Sequence, residues 1–176
     1  MFFFIYKSSL KIAAIRNNEE IINLLMSQNN IRIEHNCFKG NQNLREITIP
    51  SSVSSIDDEM FMGCTSLTQV TFQFPSSVKT ICKCAFKGCI SLKQITIPSS
   101  VTSICEYSFD GCCSLIQILF DHPSSLLSIG SYAFNKCSSL KQITIPSSVI
   151  FIKNYAFCEC ESLTNLIIPS SVTIIG

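Results

Sequence analysis

A single tripeptide punctuates most of the chain. Pro-Ser-Ser begins at Pro50, Pro75, Pro98, Pro123, Pro146 and Pro169, so successive steps are 25, 23, 25, 23 and 23. A leucine follows each of the first five prolines at one constant offset, at Leu67, Leu92, Leu115, Leu140 and Leu163. A phenylalanine precedes each leucine by six, at Phe61, Phe86, Phe109, Phe134 and Phe157, and Phe38 stands likewise before Leu44. Fixed offsets kept over successive copies mean stacked, near-identical units that bury their apolar sides against each other. The chain must fold as a solenoid.

The two long steps show what kind. Leu92 opens L-K-Q-I-T-I-P, whereas Leu67 opens L-T-Q-V-T-F-Q-F-P and Leu115 opens L-I-Q-I-L-F-D-H-P. The extra residues come as a pair, which preserves a period of two, so L-x-x-I-x-I reads as a β-strand. Proline cannot donate to a ladder and closes the strand; Ser-Ser makes the turn. Val-x-x-Ile (Val101 and Ile104, Val149 and Ile152) re-enters the core, and Ala-Phe returns the chain with its ring inside the coil. So short a unit leaves no room for a long helix. The expected fold is a mainly β solenoid of about six coils, each of twenty-three to twenty-five residues, with a stacked parallel sheet on one face.

These residues resemble the BspA-like leucine-rich repeats. The resemblance rests on S-L-K-Q-I-T-I-P-S-S-V-T-S-I from Ser91 to Ile104 and on A-F-x-x-C, as in Ala133 to Cys137, and it covers residues 31–176. It implies a surface, adhesin-like protein whose solenoid face contacts another protein, of the host or of its own kind. The family's usual Ile-Gly pair survives only at Ile129-Gly130 and Ile175-Gly176. Cys82, Cys105 and Lys153 replace that glycine elsewhere, where a different local turn is expected.

Residues 1–30 read as a degenerate repeat or capping segment. Moving the register back by one short step from Leu44 puts Ile21 in the leucine slot and Leu24 and Met26 in the strand slots. The rival reading is an amphipathic helix over Lys7 to Gln28, rich in helix formers. Phe2 to Tyr6 is too short for a signal peptide. The chain stops at Gly176 midway through a coil. An uncapped apolar β end there suggests end-to-end self-association or a piece of a longer array.

Composition removes other classes. Thirteen basic and twelve acidic residues leave a net charge of +1, which gives no basic field for nucleic acid. No apolar run suits membrane insertion. P-loop, G-x-G-x-x-G, H-E-x-x-H and G-x-S-x-G motifs are missing, so no enzyme and no cofactor are expected. Asp121-His122-Pro123-Ser124-Ser125 mimics a compressed triad, but neighbours on a strand face opposite ways. His122 takes the slot of Phe74 and is expected to pack at the strand end. His35 reads as polar surface and Asp57-Asp58-Glu59 as a solvated face.

Five of the eleven cysteines recur three residues after the phenylalanine: Cys64, Cys89, Cys112, Cys137 and Cys160. They read as a ladder of small buried side chains. A cysteine-rich metal or redox protein is the distant alternative, since Cys82-x-Cys84 and Cys158-x-Cys160 lack a matching second knuckle. The compartment stays open. Resemblance implies the cell surface; the missing sequon and free-thiol pattern point to a reducing interior and an intracellular adaptor.

With the two isoleucines inward, positions two and four after the leucine face outward. The first column is Glu46, Gln69, Gln94, Gln117, Gln142 and Asn165. The second contains Thr48, Thr71, Thr96, Leu119, Thr144 and Ile167, while Arg45, Lys93 and Lys141 stand immediately after their leucines. These residues form the candidate partner-binding face, on which repeated weak contacts would add by multivalency.

Overall fold

The computed structural model describes residues 36–176 together with Ile21, Ile22 and Leu24. Those three residues are helical, and Ile22 is fully buried. Leu24, assigned to a strand slot, is therefore helical and not strand. The rest of the 1–30 reading, the Lys7 to Gln28 helix and the surface placement of His35 fall outside the described residues.

From residue 36 onward the chain is a parallel β-solenoid. The long strands are β1 (Glu46–Ile49), β3 (Gln69–Phe72), β5 (Gln94–Ile97), β7 (Gln117–Phe120), β9 (Gln142–Thr144) and β11 (Asn165–Ile167). Between them lie two-residue strands: β2 (Ser55–Ile56), β4 (Thr80–Ile81), β6 (Ser103–Ile104), β8 (Ser128–Ile129), β10 (Phe151–Ile152) and β12 (Ile174–Ile175). Each coil thus supplies one strand to each of two walls. The second wall is continuous from β2 through β12. The expectation of a sheet on one face captured only the longer wall.

The core is built from the repeated apolar slots. Ile47, Ile49, Ile95, Ile97, Ile143 and Ile145 are buried from the long strands and their ends; Ile56, Ile81, Ile104, Ile129 and Ile152 are buried from the short ones. Phe38, Phe61, Phe86, Phe109, Phe134 and Phe157 form one axial stack with ring centroids 5.1–5.5 Å apart. Near-parallel rings at that spacing follow from in-register coils, and each buried ring excludes more water than any aliphatic side chain in the repeat.

The turn around each phenylalanine depends on left-handed residues. Gly40, Gly63, Gly88 and Gly111 have φ of +72 to +73°, two residues after the ring. In the next two coils Lys136 (φ 58°) and Glu159 (φ 54°) take the same conformation, and their charged ends face each other at 3.9 Å. A non-glycine residue there carries a conformational cost. At the Ile-Gly slot the local backbone differs as expected, since a Cβ at Gly130 would lie 2.6 Å from the Cys105 carbonyl carbon whereas Cys82, Cys105 and Lys153 carry one in the same slot. The ladder bond of the slot is nevertheless kept. The amides of Cys82, Cys105, Gly130, Lys153 and Gly176 each donate to the isoleucine carbonyl one coil back, at 2.7–3.1 Å.

Candidate binding face

The long wall is where the repeat breaks its own rule. β1 and β3 pair over four residues, Glu46↔Gln69 to Ile49↔Phe72, and β5 and β7 pair likewise from Gln94↔Gln117 to Ile97↔Phe120. No ladder joins β3 to β5, and Gln117↔Gln142 alone joins β7 to β9. Both seams come directly after a strand that carries the inserted pair. That pair takes the long strand past its short successor: the Gln73 amide still donates to Ile49 and that of Asp121 to Ile97, at 2.9 and 3.0 Å. Long strands bond backward and part from the strand ahead.

A cleft opens at each seam. The first, of about 630 Å³, is lined by Gln69, Thr71, Phe72 and Phe74 on one side and by Lys93, Gln94, Thr96 and Pro98 on the other. The second, of about 310 Å³, lies among Gln117, Leu119, His122, Gln142, Thr144 and Ile167. Parity places Phe74 and His122 inward with Val70 and Ile118, but Phe74 is 92% exposed and His122 is exposed as well. His122 therefore does not pack at the strand end. The alternation stops at Phe72 and Phe120, and the inserted pair leaves the sheet at the rim of its cleft, where each peptide bond to proline is cis.

The outward columns stand where the period of two puts them. Glu46, Gln69, Gln94, Gln142, Asn165, Thr48, Thr71, Thr144, Leu119 and Ile167 are exposed; Gln117 and Thr96 are half-buried. Arg45, Lys93 and Lys141 are exposed, and among the described residues no ion pair engages them. Within the columns, Gln69 Nε2 donates to Thr71 Oγ1 at 3.3 Å, along one strand and not across to the next. The face is polar, open and weakly committed to itself.

The opposite side of each coil is committed. Lys39 pairs with Glu59, Lys83 with Glu106 and Lys87 with Asp110, each to the following coil. Asp58 accepts the Lys83 amide and Asp57 the Ser55 hydroxyl, so two carboxylates of the acidic run accept hydrogen bonds from the protein. Sequence reasoning missed Tyr107, Tyr132 and Tyr155, which stack at 4.9 Å beside the turns, with Lys87 Nζ 5.0 Å from the Tyr107 ring centre. Their spacing by one coil was the available signal.

The cysteine ladder is structural. Cys64, Cys89, Cys112, Cys137 and Cys160 each donate a thiol proton to the phenylalanine carbonyl one coil back, at 3.0–3.3 Å. Asn41 in the first slot instead accepts from the Asn43 and Leu44 amides. Burial pushes the Cys64 thiol up to about 12 and Cys160 to about 11, and raises Cys89, Cys112 and Cys137 as well. Protonated thiols are poor nucleophiles and poor metal ligands. Among the described residues no group of three His, Cys, Asp or Glu side chains could hold a metal ion, and no helix is long and apolar enough to cross a membrane.

The family model of the BspA type leucine rich repeat region matches residues 8–73 and 69–176, in six copies. The chain belongs to the BspA-type leucine-rich repeat family. Among solved structures, this BspA-type chain resembles a leucine-rich repeat protein of T. pallidum at 32% identity and a TM-score of 0.70, covering 76% of this chain and 61% of that one. A leucine-rich repeat protein from Bacteroides ovatus gives 32% and 0.57, over 80% and 41% of the two chains. The pneumococcal vaccine antigen PcpA gives 26% and 0.60, over 70% and 29%. The BspA-type chain thus spans less than two thirds of these relatives. No curated protein matches it.

Proposed function

We propose that this chain is a non-catalytic, adhesin-like module that holds a partner protein against its long wall. The observation that carries this reading is the contrast between the two sides of each coil. The turn side pairs Lys39, Lys83 and Lys87 with carboxylates of the neighbouring coil, while the long wall keeps Arg45, Lys93 and Lys141 out of the ion pairs of the described residues and opens two clefts. A wall of stacked strands is an extended recognition surface, and its repetition favours many modest contacts over one deep pocket. Membership of the BspA-type family supports protein binding, and the likeness to a bacterial vaccine antigen supports the adhesin role.

The test is a binding panel of purified extracellular proteins, read by surface plasmon resonance. The wild-type chain is compared with Thr96→Arg/Thr144→Arg on the long wall and with Lys83→Ala/Lys136→Ala on the turn side. Binding lost in the first variant and kept in the second supports the reading. Equal loss in both, or binding indifferent to the wall, sinks it. Surface labelling of intact cells then separates the adhesin from an intracellular adaptor; the second reading is favoured by a thiol ladder that bonds carbonyls rather than bridging.

A further inference from the structure

The long wall carries its positive charge at every second coil. Arg45, Lys93 and Lys141 occupy the position after the leucine in the first, third and fifth coils, while Thr68, Ile116 and Thr164 hold it in the alternating ones. The coils stack at the 5.1–5.3 Å of the core rings between Phe38 and Phe134, so cations two coils apart repeat at about 10 Å along the solenoid axis. The two clefts follow the second and fourth strands and share that interval. Glu46 follows Arg45 directly in the chain, whereas Gln94 follows Lys93 and Gln142 follows Lys141, so the latter two cations have no adjacent acid. Asp121, the carboxylate of the first cleft, follows Phe120 at the end of the strand away from the cation row.

A ligand that meets this row needs an anion about every 10 Å on one side. In an extended β-strand, alternate residues share a face at roughly 6.7 Å, which misses the interval. A polyproline II segment has three residues per turn and rises about 3.1 Å per residue, so every third side chain returns to the same side after about 9.3 Å. An α-helix with anions seven apart advances about 10.5 Å, but its own ladder uses its carbonyls. Polyproline II leaves every carbonyl free. The amides of Gln94, Gln117 and Gln142 stand beside the cation row, and none has a side-chain hydrogen bond to the protein among the described residues.

Resting on the proposed protein-binding role of this wall, we infer that its ligand is an acidic polyproline II segment lying along the solenoid axis. Carboxylates at every third residue meet Lys93 and Lys141, with Arg45 at the end of the row. Ligand carbonyls accept from the glutamine column, and the intervening apolar residues rest in the clefts against Phe72, Pro98 and Leu119. Aromatic-lined grooves that read such segments exploit the small entropy lost by an already extended chain.

The full chain is titrated with fluorescent 14-residue peptides in a polarisation assay. One peptide is proline-rich with glutamate at every third position; the second permutes the same residues so that the same glutamates stand at alternate positions in one block; the third is a helix former with glutamate seven apart. A sulfated glycan fragment forms a fourth arm. The every-third peptide is expected to bind at least tenfold more tightly than the others, and Lys93→Gln/Lys141→Gln to abolish that preference while the circular dichroism spectrum is unchanged. Equal binding of all peptides, tighter binding of the helix or the glycan, or a spacing preference that survives the double variant would overturn the inference. If the peptides fail while Thr96→Arg/Thr144→Arg still abolishes protein binding, the spacing is wrong and the module stands. If both fail, the wall is not the binding face.

Discussion

The two walls of this solenoid receive the same coils and treat an insertion differently. The short wall, β2 through β12, is continuous across the longer and the shorter coils alike. The long wall parts after each strand that carries an insertion. Both inserted pairs enter between the long strand and its proline, so the chain has recovered its register by the time Val-x-x-Ile begins. Ile81 pairs in register with Ile104, and Val78 and Val101 are both fully buried, with no trace of the added residues. The solenoid confines irregularity to one wall, and the axial columns hold the coils together while that wall varies.

If the columns carry the stability, their loss should have the largest effect. Phe109 is fully buried between Phe86 and Phe134, at 5.1 and 5.3 Å. Phe109→Ala should cost about 3–5 kcal/mol, read from the denaturant midpoint. A loss below about 1 kcal/mol would mean that neighbouring coils fold independently of the stack.

The thiol column should add a sensitivity to alkali. Burial raises the Cys64, Cys89, Cys112 and Cys137 thiols above their ordinary value near 9. A folded value above the unfolded one means that the unfolded chain releases protons first. The stabilisation is therefore complete below the unfolded value and is lost as pH rises from there toward the folded value, about 12 for Cys64. Above the unfolded value each buried thiol should forfeit roughly 1 kcal/mol per pH unit. Replacing Cys112 with serine should reduce the slope; a slope unchanged by that substitution would assign the alkaline loss to other groups.

Much of this was legible from the sequence, for a simple reason. Offsets between Pro50, Phe61 and Leu67 set the length of a coil, and a period of two then fixes which of Ile95 and Thr96 faces inward. The parts that were not legible depend on two coils at once. Parity predicts an inward Phe74 because it counts only its own strand, yet whether a strand continues is decided by the neighbour that must pair with it, and β5 ends at Ile97. Ser103-Ile104 is too short to show any periodicity, so the second wall was hidden. A second left-handed slot, two residues before each ring, was masked at Tyr107 and Tyr132, both with φ of 56°, residue types that do not announce a positive φ as glycine or asparagine does.

The seam itself gives the next test. Removing Gln73 and Phe74 shortens the second coil to the length of the third and should let β3 pair with β5 as β1 pairs with β3. Each new main-chain hydrogen bond is worth about 0.5–1.5 kcal/mol net, so a gain of roughly 1–3 kcal/mol is expected, with slower amide exchange in β5. Unchanged exchange there would show that the parting of the strands comes from the third coil and not from the insertion. The reciprocal change, two residues added before Pro98, should open a seam between β5 and β7.

The smallest effect should come from the face that has no structural duty. Gln142 and Thr144 are exposed on β9, their side chains outside the core that Ile143 and Ile145 fill from the same segment. Gln142→Ala and Thr144→Ala should each shift stability by no more than about 0.5 kcal/mol, as is usual for surface positions. The comparison sharpens if the same changes weaken binding to the partner: adjacent residues on one strand would then divide cleanly, the inward ones setting stability and the outward ones affinity. A cost near that of Phe109→Ala would instead mean that the glutamine and threonine columns hold the wall together through their own cross-strand contacts, and the surface would no longer be free to exchange those contacts for a ligand.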